Sequence, residues 1–509
     1  MRRLIRVLFS RFFISGAVIL VELVGLAYVV FELSVYSVNF LILNLVLNLV
    51  FLFYVLNTDT NPEYKLTWTY VLIFLPILGA VLFVLFYKRR LSRKRLERAA
   101  QISSSLESGK DREETLSKLM ECNEYAGGKA AAILREDPLL SLYRGTVSDY
   151  FGSGEEMFSS MLRDIRGAKE FVFLEYFIIR KGVMWQKLSE ALTERARAGV
   201  EIRLIYDDVG CMDKLPRGFL DGLLAAGVRI TPFARVTPRV SAVHNNRDHR
   251  KICIVDGSVG YTGGINIGDE YINLTHPHGH WKDGGIRLFG DAVSGLCRLF
   301  LMQWGFNTGT CEDYSGYLKE EKALGDGGFY LPFGSGPYPL YKTQIGKRAI
   351  MDLINQAKRY LYVTTPYLIV DYDLTEALCG AACRGVDVRI ITPGVADKKM
   401  IKLITKSAYP NLLARGVKVY EYTPGFIHEK TLVCDGEYAL ISTINLDYRS
   451  LVHHYEDGVW IYDSPVVKEV EEEFFGTVEK SEKIDVKSAR LGPSERFVRA
   501  LVKIFAPLL

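Results

Sequence analysis

The feature that most restricts how this chain can fold is a pair of matched decapeptides. D-H-R-K-I-C-I-V-D-G runs from Asp248 to Gly257, and I-H-E-K-T-L-V-C-D-G from Ile427 to Gly436. Each has the form His-x-Lys-x-x-x-x-Asp: His249, Lys251 and Asp256, then His428, Lys430 and Asp435. The offset of 179 residues also carries Asn266 onto Asn445. With only 8 histidines among 509 residues, two at the head of identically spaced sets point to a duplicated unit.

The spacing suits a β-strand. Between Lys and Asp the residues are mostly apolar and β-branched, as in a buried strand. Side chains alternate along a strand, so His and Lys, two apart, share a face. Asp lies an odd number of residues from both and precedes a turn glycine, so Asp256 and Asp435 read as fixing a loop. Two such strands facing each other supply two imidazoles and two cations. Lys251 and Lys430, with Asn266 and Asn445, can hold the oxygens of a phosphodiester. One imidazole can attack phosphorus while the other protonates the leaving oxygen.

These twin motifs resemble those of the phospholipase D superfamily. The stretches G-Y-T-G-G-I-N-I-G-D-E-Y (260–271), T-T-P-Y (364–367) and S-T-I-N-L-D-Y-R-S (442–450) are similar to bacterial cardiolipin synthases, and the likeness covers nearly the whole chain. The resemblance implies a catalytic set of His249, Lys251, Asp256, His428, Lys430 and Asp435. It makes His249 the nucleophile that becomes a phosphohistidine, and His428 the general acid and then base. A nucleophilic imidazole needs a carboxylate on its far nitrogen. The family places these orienting acids at Asp283 and Glu456, one for each histidine, with Asp457 competing for the second position. The implied reaction converts two phosphatidylglycerol molecules into cardiolipin and glycerol, with no cofactor and no metal, since lysines supply the charge. A hydrolase, a transferase using another donor such as phosphatidylethanolamine, and a membrane-tethered nuclease share this core. The formal net charge of +4 is modest for a nuclease, so no nucleic-acid partner is expected.

Hydrophobic content of 49% is ordinary, but it is concentrated at the start. Segments 12–31, 38–56 and 67–87 each approach the ~20 residues of a spanning helix. Arg2, Arg3, Arg6 and Arg11 precede the first, which is too long for a signal core and lacks a cleavage site. Glu22 within it should face a helix or polar cavity, and Asn44 and Asn48 are suited to bonding between helices. K-R-R-L-S-R-K-R-L-E-R (88–98) follows the third segment and puts the rest of the chain in the cytoplasm. The resemblance favours 38–56 and 67–87 as a hairpin, giving a multi-pass protein of a bacterial cell membrane. The 8 cysteines form no metal or disulfide framework and fit a reducing compartment.

The remaining chain alternates strands and helices in two matching series. Joints of the form A-G-V (198–200, 226–228) and R-G-V (384–386, 415–417) mark a glycine that ends a helix and feeds a strand. The expected fold is α/β: two pseudo-twofold-related phospholipase D-like sandwiches behind N-terminal transmembrane helices. The boundaries are 1–95 for the anchor, 96–145 for a helical linker, 146–325 and 326–485 for the two domains, and 486–509 for an amphipathic end. Within that end, 494–509 could lie on a membrane or cap the second domain. Glu175, Tyr176, Pro366 and Tyr367 end the first strand of each half, where site walls are expected. Gly263 and Gly264 allow a close backbone turn, where the second half carries Ser442 and Thr443. Tyr261, Trp281 and Tyr448 read as core. Lys398, Lys399, Lys402 and Lys406 form a basic run that reads as a solvated helix face able to attract anionic headgroups.

Overall fold

The computed structural model describes residues 11–58, 62–75, 78–87, 93–107, 111–212, 214–216, 218–235, 246–319, 325–337, 340–489 and 492. Two mixed sheets carry the architecture. In the first, strands run in the spatial order Thr146–Phe151, Gly285–Gly290, Val259–Gly263, Lys251–Val255, Phe171–Tyr176, Glu201–Asp207, Arg229–Phe233. The second repeats that order with Phe329–Ser335, Glu456–Tyr462, Tyr438–Ser442, Thr431–Cys434, Tyr360–Thr364, Asp387–Pro393 and Lys418–Tyr422. It then adds Ser481–Lys483 at the edge. The two motif strands, Lys251–Val255 and Thr431–Cys434, therefore sit at the centre of their sheets, wholly buried, each between two antiparallel neighbours.

Local chemistry explains the repetition. The strands after the helical crossovers pair in parallel, and at each joint a glycine takes the left-handed conformation: Gly199 and Gly227 at φ 91°, Gly385 and Gly416 at φ 93°. That is the geometry that closes a helix and releases the chain into a strand. At the far end of each motif strand the aspartate does what the strand alternation implied. Asp256 accepts the N–H groups of Lys169, Glu170 and Phe171 at 2.8, 2.8 and 2.9 Å. Asp435 accepts those of Lys358, Arg359 and Tyr360 at 2.8, 2.8 and 2.9 Å. Both residues have positive φ.

Apolar side chains from both sheets merge into one core, among them Phe173, Ile254, Leu331, Leu361 and Leu432, together with helix Val293–Thr308. Helices Gly154–Gly167 and Val183–Arg197 cover the other face of the first sheet. The stretch expected as a linker folds as helices Arg93–Ser105, Asp111–Cys122 and Glu124–Leu134. Ile102, Leu119 and Ile133 from them are buried in the main core, so this segment is packed structure.

The N-terminal part differs from the sequence expectation. Its first apolar segment is helix Arg11–Tyr36, and the second is Val38–Leu56. The third, expected to be continuous over 67–87, is two short helices, Pro62–Phe74 and Gly79–Phe86. The break falls in F-L-P-I-L-G, whose proline lacks a backbone donor. Among the described residues one helix, Val38–Leu56, is long and apolar enough to cross a membrane. Asn48 donates to the Asn44 carbonyl at 2.8 Å within that helix, and its side chain abuts Gly79. Tyr64, Trp68, Phe83 and Tyr87 form an aromatic cluster with Tyr448 of the second half; the Tyr64 and Tyr448 rings lie 6.3 Å apart and near parallel, at 14°. The side chain of Glu22 and the stretch 494–509 lie outside the described residues.

Replacing Asp435 by alanine strands three backbone donors at a buried turn. We expect thermal melting in detergent to report a loss of about 1–3 kcal/mol, with Asp435→Asn, which keeps one acceptor oxygen, costing less than Asp435→Ala.

Candidate active site

Each motif histidine is held by the opposite half of the chain. Short parallel pairings bring this about. Gly425–Ile427, just ahead of His428, pairs with His280–Lys282, just ahead of Asp283. Asp248, just ahead of His249, bridges Tyr455, just ahead of Glu456. The His428 N–H donates to the Lys282 carbonyl at 2.7 Å, and the His249 N–H to the Tyr455 carbonyl at 2.8 Å. One residue further on, the side chains meet in the same crossed sense. His428 Nδ1 lies 2.7 Å from Asp283 Oδ2, and His249 Nδ1 lies 2.9 Å from Glu456 Oε2. Backbone and ring of each imidazole are thus fixed by two consecutive residues of the other half.

The electrostatics set the tautomer. Burial, with the Lys430 cation next, lowers His428 to about 4, although Asp283 pulls the other way. Burial lowers His249 to about 3 despite Glu456 beside it. Burial alone would raise Glu456, but His249 and His454 against it hold it low; His428 does the same for Asp283. Neutral imidazoles facing carboxylates donate from Nδ1, which leaves each Nε2 with a lone pair. His249 and His428 line one cavity of about 610 Å³, along with Asn266 and Asn445.

Lys251 and Lys430 are buried, and each ammonium donates back to the carbonyl of its own motif histidine. Burial depresses both, Lys251 to about 8 and Lys430 to about 7, and each ammonium also feels the carboxylates of both dyads. The Asn266 side chain accepts from the Ile178 N–H at 3.0 Å and donates to the Tyr271 hydroxyl at 2.9 Å. The Asn445 backbone N–H is tied to Ser450 Oγ at 2.9 Å. Asp256 and Asp435, counted in the catalytic set, are engaged at the far strand ends and do not line the cavity. Asp457, the competitor for the second acid position, faces away from the histidine and accepts from Thr262 at 2.5 Å.

The Gly-to-Ser/Thr difference has a direct structural reason. Any Cβ on Gly264 would collide with Asp283 Oδ1. The matching Thr443 instead donates to Glu456 Oε2 at 2.6 Å, and Ser450 donates to Oε1 at 2.5 Å. Among the expected wall residues, Tyr367 lines the cavity, whereas Glu175 is fully buried 3.7 Å from Arg250 and Tyr176 packs in the core. Trp281, Tyr448 and Tyr261, read from the sequence as core, are all buried in apolar clusters, and Trp281 and Tyr448 also face the cavity. Of the basic run, Lys402 and Lys406 lean on Glu421 at 2.6 and 3.9 Å, and Lys398 reaches the cavity.

Sequence reasoning passed over the residue between His and Lys in each motif. Arg250 donates to the Tyr341 hydroxyl at 2.6 Å and to the Glu456 carbonyl at 3.3 Å. Glu429 accepts from Tyr150 at 2.6 Å and Lys282 at 3.0 Å. All four bonds cross between halves. The available signal was a charged residue at the mouth of an otherwise apolar strand. Arg180, Lys214, Arg247, Arg449 and His454 also line the cavity, and no repeat marks them.

Comparison with known proteins agrees with this architecture. The family model described as cardiolipin synthase, PLD-like domain, matches twice, at residues 161–278 and 350–477. That described as phospholipase D-nuclease N-terminal matches residues 46–86. A Streptococcus mutans protein with no assigned role is 35% identical, covering 90% of this chain and 99% of its own. A cardiolipin synthase of a Geobacillus strain is 32% identical, covering 91% and 92%. The solved phosphatidylserine synthase of Haemophilus influenzae shares the fold, with a TM-score of 0.54 at 15% identity over 71% of this chain and 93% of that one. With its two matched α/β halves and its relatives aligned along nine-tenths of its length, the chain belongs to the cardiolipin synthase family of the phospholipase D superfamily.

Proposed function

We propose that this protein is a membrane-bound phosphatidyltransferase that joins two phosphatidylglycerol molecules into cardiolipin and releases glycerol. The observation that carries the reading is the pair of crossed histidine–carboxylate dyads whose imidazoles line a single cavity. The anionic phosphodiester, on entering, favours a second proton on His428, at Nε2. His249 Nε2 then attacks the phosphorus of the first lipid; the bond to the glycerol oxygen breaks, and His428 gives that oxygen its Nε2 proton. His428, now neutral, takes the proton of the terminal hydroxyl of a second phosphatidylglycerol. That oxygen attacks phosphorus, the P–N bond breaks, and His249 is restored. One phosphodiester replaces another, so the exchange needs no nucleotide.

Two features support this assignment of roles. Glu456 takes hydroxyl donors from Thr443 and Ser450 that Asp283 lacks, which keeps the His249 dyad anchored while its ring carries the phosphorus. Lys251 and Lys430, buried beside their histidines, supply the positive charge for the non-bridging oxygens, and Asn266 and Asn445 line the cavity with His249 and His428. Lys398 and Arg449, which have no carboxylate within ion-pair distance among the described residues, suit the phosphate of the second lipid. The cationic run 88–98 after the apolar segments favours an orientation with both halves on the cytoplasmic side, and the two matching sheets fit domain limits of 146–325 and 326–485.

Purified protein incubated with phosphatidylglycerol vesicles should yield cardiolipin and glycerol in equal amounts; phosphatidic acid as the sole lipid product would overturn the transfer reading. Wild type denatured with detergent at mildly alkaline pH during turnover should carry its phosphatidyl group on His249, and an adduct found on His428 would reverse the roles. Glu456→Gln should lower kcat by about 10³–10⁴ through loss of the correct tautomer, with far less effect on KM. A further expectation concerns pH. Lys430 loses its charge as pH rises through about 7, so KM for lipid should climb between neutral and mildly alkaline pH. Lys430→Arg, which stays charged, should flatten that rise.

A further inference from the structure

Position 454 breaks the symmetry of the site. His454 stands two residues ahead of Glu456, as Trp281 stands two ahead of Asp283. Both rings approach the carboxylate that holds the neighbouring histidine: Trp281 Nε1 to Asp283 at 3.5 Å, His454 Nδ1 to Glu456 at 3.6 Å. Their distances to the motif rings also match, 5.4 Å from Trp281 to His428 and 5.5 Å from His454 to His249. The chemistry differs, because an indole N–H can only donate while an imidazole offers a lone pair. His454 is 9% exposed, lines the cavity, and has no hydrogen-bond partner for either ring nitrogen among the described residues.

We propose that His249, His454 and Glu456 form a site for one borderline-soft divalent transition cation, zinc being the probe, and that its occupation switches off the nucleophile. One ligand atom from each residue lies within 4.8 Å of the others. Two imidazole nitrogens and a carboxylate oxygen are a donor set zinc accepts, with the cavity side left open for a fourth ligand. The half-site at His428 cannot do the same, because Trp281 has no lone pair to give.

The switch follows from proton placement. In the metal-free site His249 keeps its proton on Nδ1, shared with Glu456, and its lone pair on Nε2. A cation bound through Nδ1 needs the lone pair on that nitrogen, so the proton leaves Nδ1 and moves through water to Nε2. No proton is gained or lost, but the atom needed for attack on phosphorus is capped. The inhibitory consequence rests on the phosphatidyl-transfer reading above; the binding itself does not. Magnesium and calcium prefer oxygen ligands and should not act in this way.

The full-length protein in detergent, titrated with zinc in a calorimeter, should show a site that His454→Asn and His454→Phe each weaken at least about tenfold. Melting curves of both variants establish that they are folded. Transfer rates, each compared with the same protein free of metal, should fall on zinc addition in the wild type, recover with chelator, and respond at least about tenfold less to zinc in the variants. Equal zinc affinity in wild type and both variants would overturn the site, including the case of binding at His276, His278 or His280. Binding lost in the variants but without effect on the wild-type rate would overturn the switch. A metal-free wild type that makes no cardiolipin would sink the proposed function and leave the calorimetric result to stand alone.

Discussion

Every other feature of the site depends on one exchange between halves: the residue before each orienting carboxylate gives its carbonyl to the backbone of the histidine that the carboxylate also holds. Lys282 and Asp283 grip His428; Tyr455 and Glu456 grip His249. Two successive anchors fix both the position and the rotation of an imidazole, which a side-chain contact alone would not. Neither half contains a complete dyad. The interface between the halves is therefore the catalytic apparatus itself, and the continuous apolar core that joins the sheets is what holds it in register.

Such a site concentrates buried charge, and the arrangement shows how that cost is contained. The carboxylates Asp283 and Glu456 are anionic next to lysines whose ammonium groups burial has pushed toward neutrality. An arriving phosphodiester completes this partial compensation, since its negative charge favours the protonated lysines. Arg250 and Glu429 belong to the same logic on the opposite strand face. A buried ion is tolerable only when hydrogen-bonded or paired, and both find their partners across the halves. The site is electrostatically unfinished until the substrate is present.

Much of this was legible in the sequence because strands and duplication leave periodic marks. The Gly-Val joints, where a helix ends and a strand begins, gave the α/β order, and the left-handed glycines there are its structural counterpart. Alternation along the motif strand is enough by itself to separate the aspartates from His and Lys. What the repeat could not convey was pairing across it. The resemblance put orienting acids at Asp283 and Glu456, but only the packing of one half on the other decides which histidine each meets. Residues present in one half alone were invisible for the same reason: His454 answers to Trp281, and Thr443 to Gly264, so nothing in the duplication drew attention to them. Hydropathy overstated the third apolar segment because an average over 67–87 does not register a break between Pro62–Phe74 and Gly79–Phe86.

The aromatic stack of Tyr64 on Tyr448 has a mechanical consequence. Tyr448 is part of the cavity wall, so the short helix that carries Tyr64 is bolted to the chamber where the chemistry occurs. An enzyme on a slack leash would sample many heights and tilts above a lipid layer, and its entrance would meet the headgroups only now and then. Here the angle of the entrance is set by ring-on-ring packing and is inherited by the whole catalytic body. An unrelated hydrophobic anchor grafted in place of this one would keep the protein at the surface while leaving its doorway free to point the wrong way.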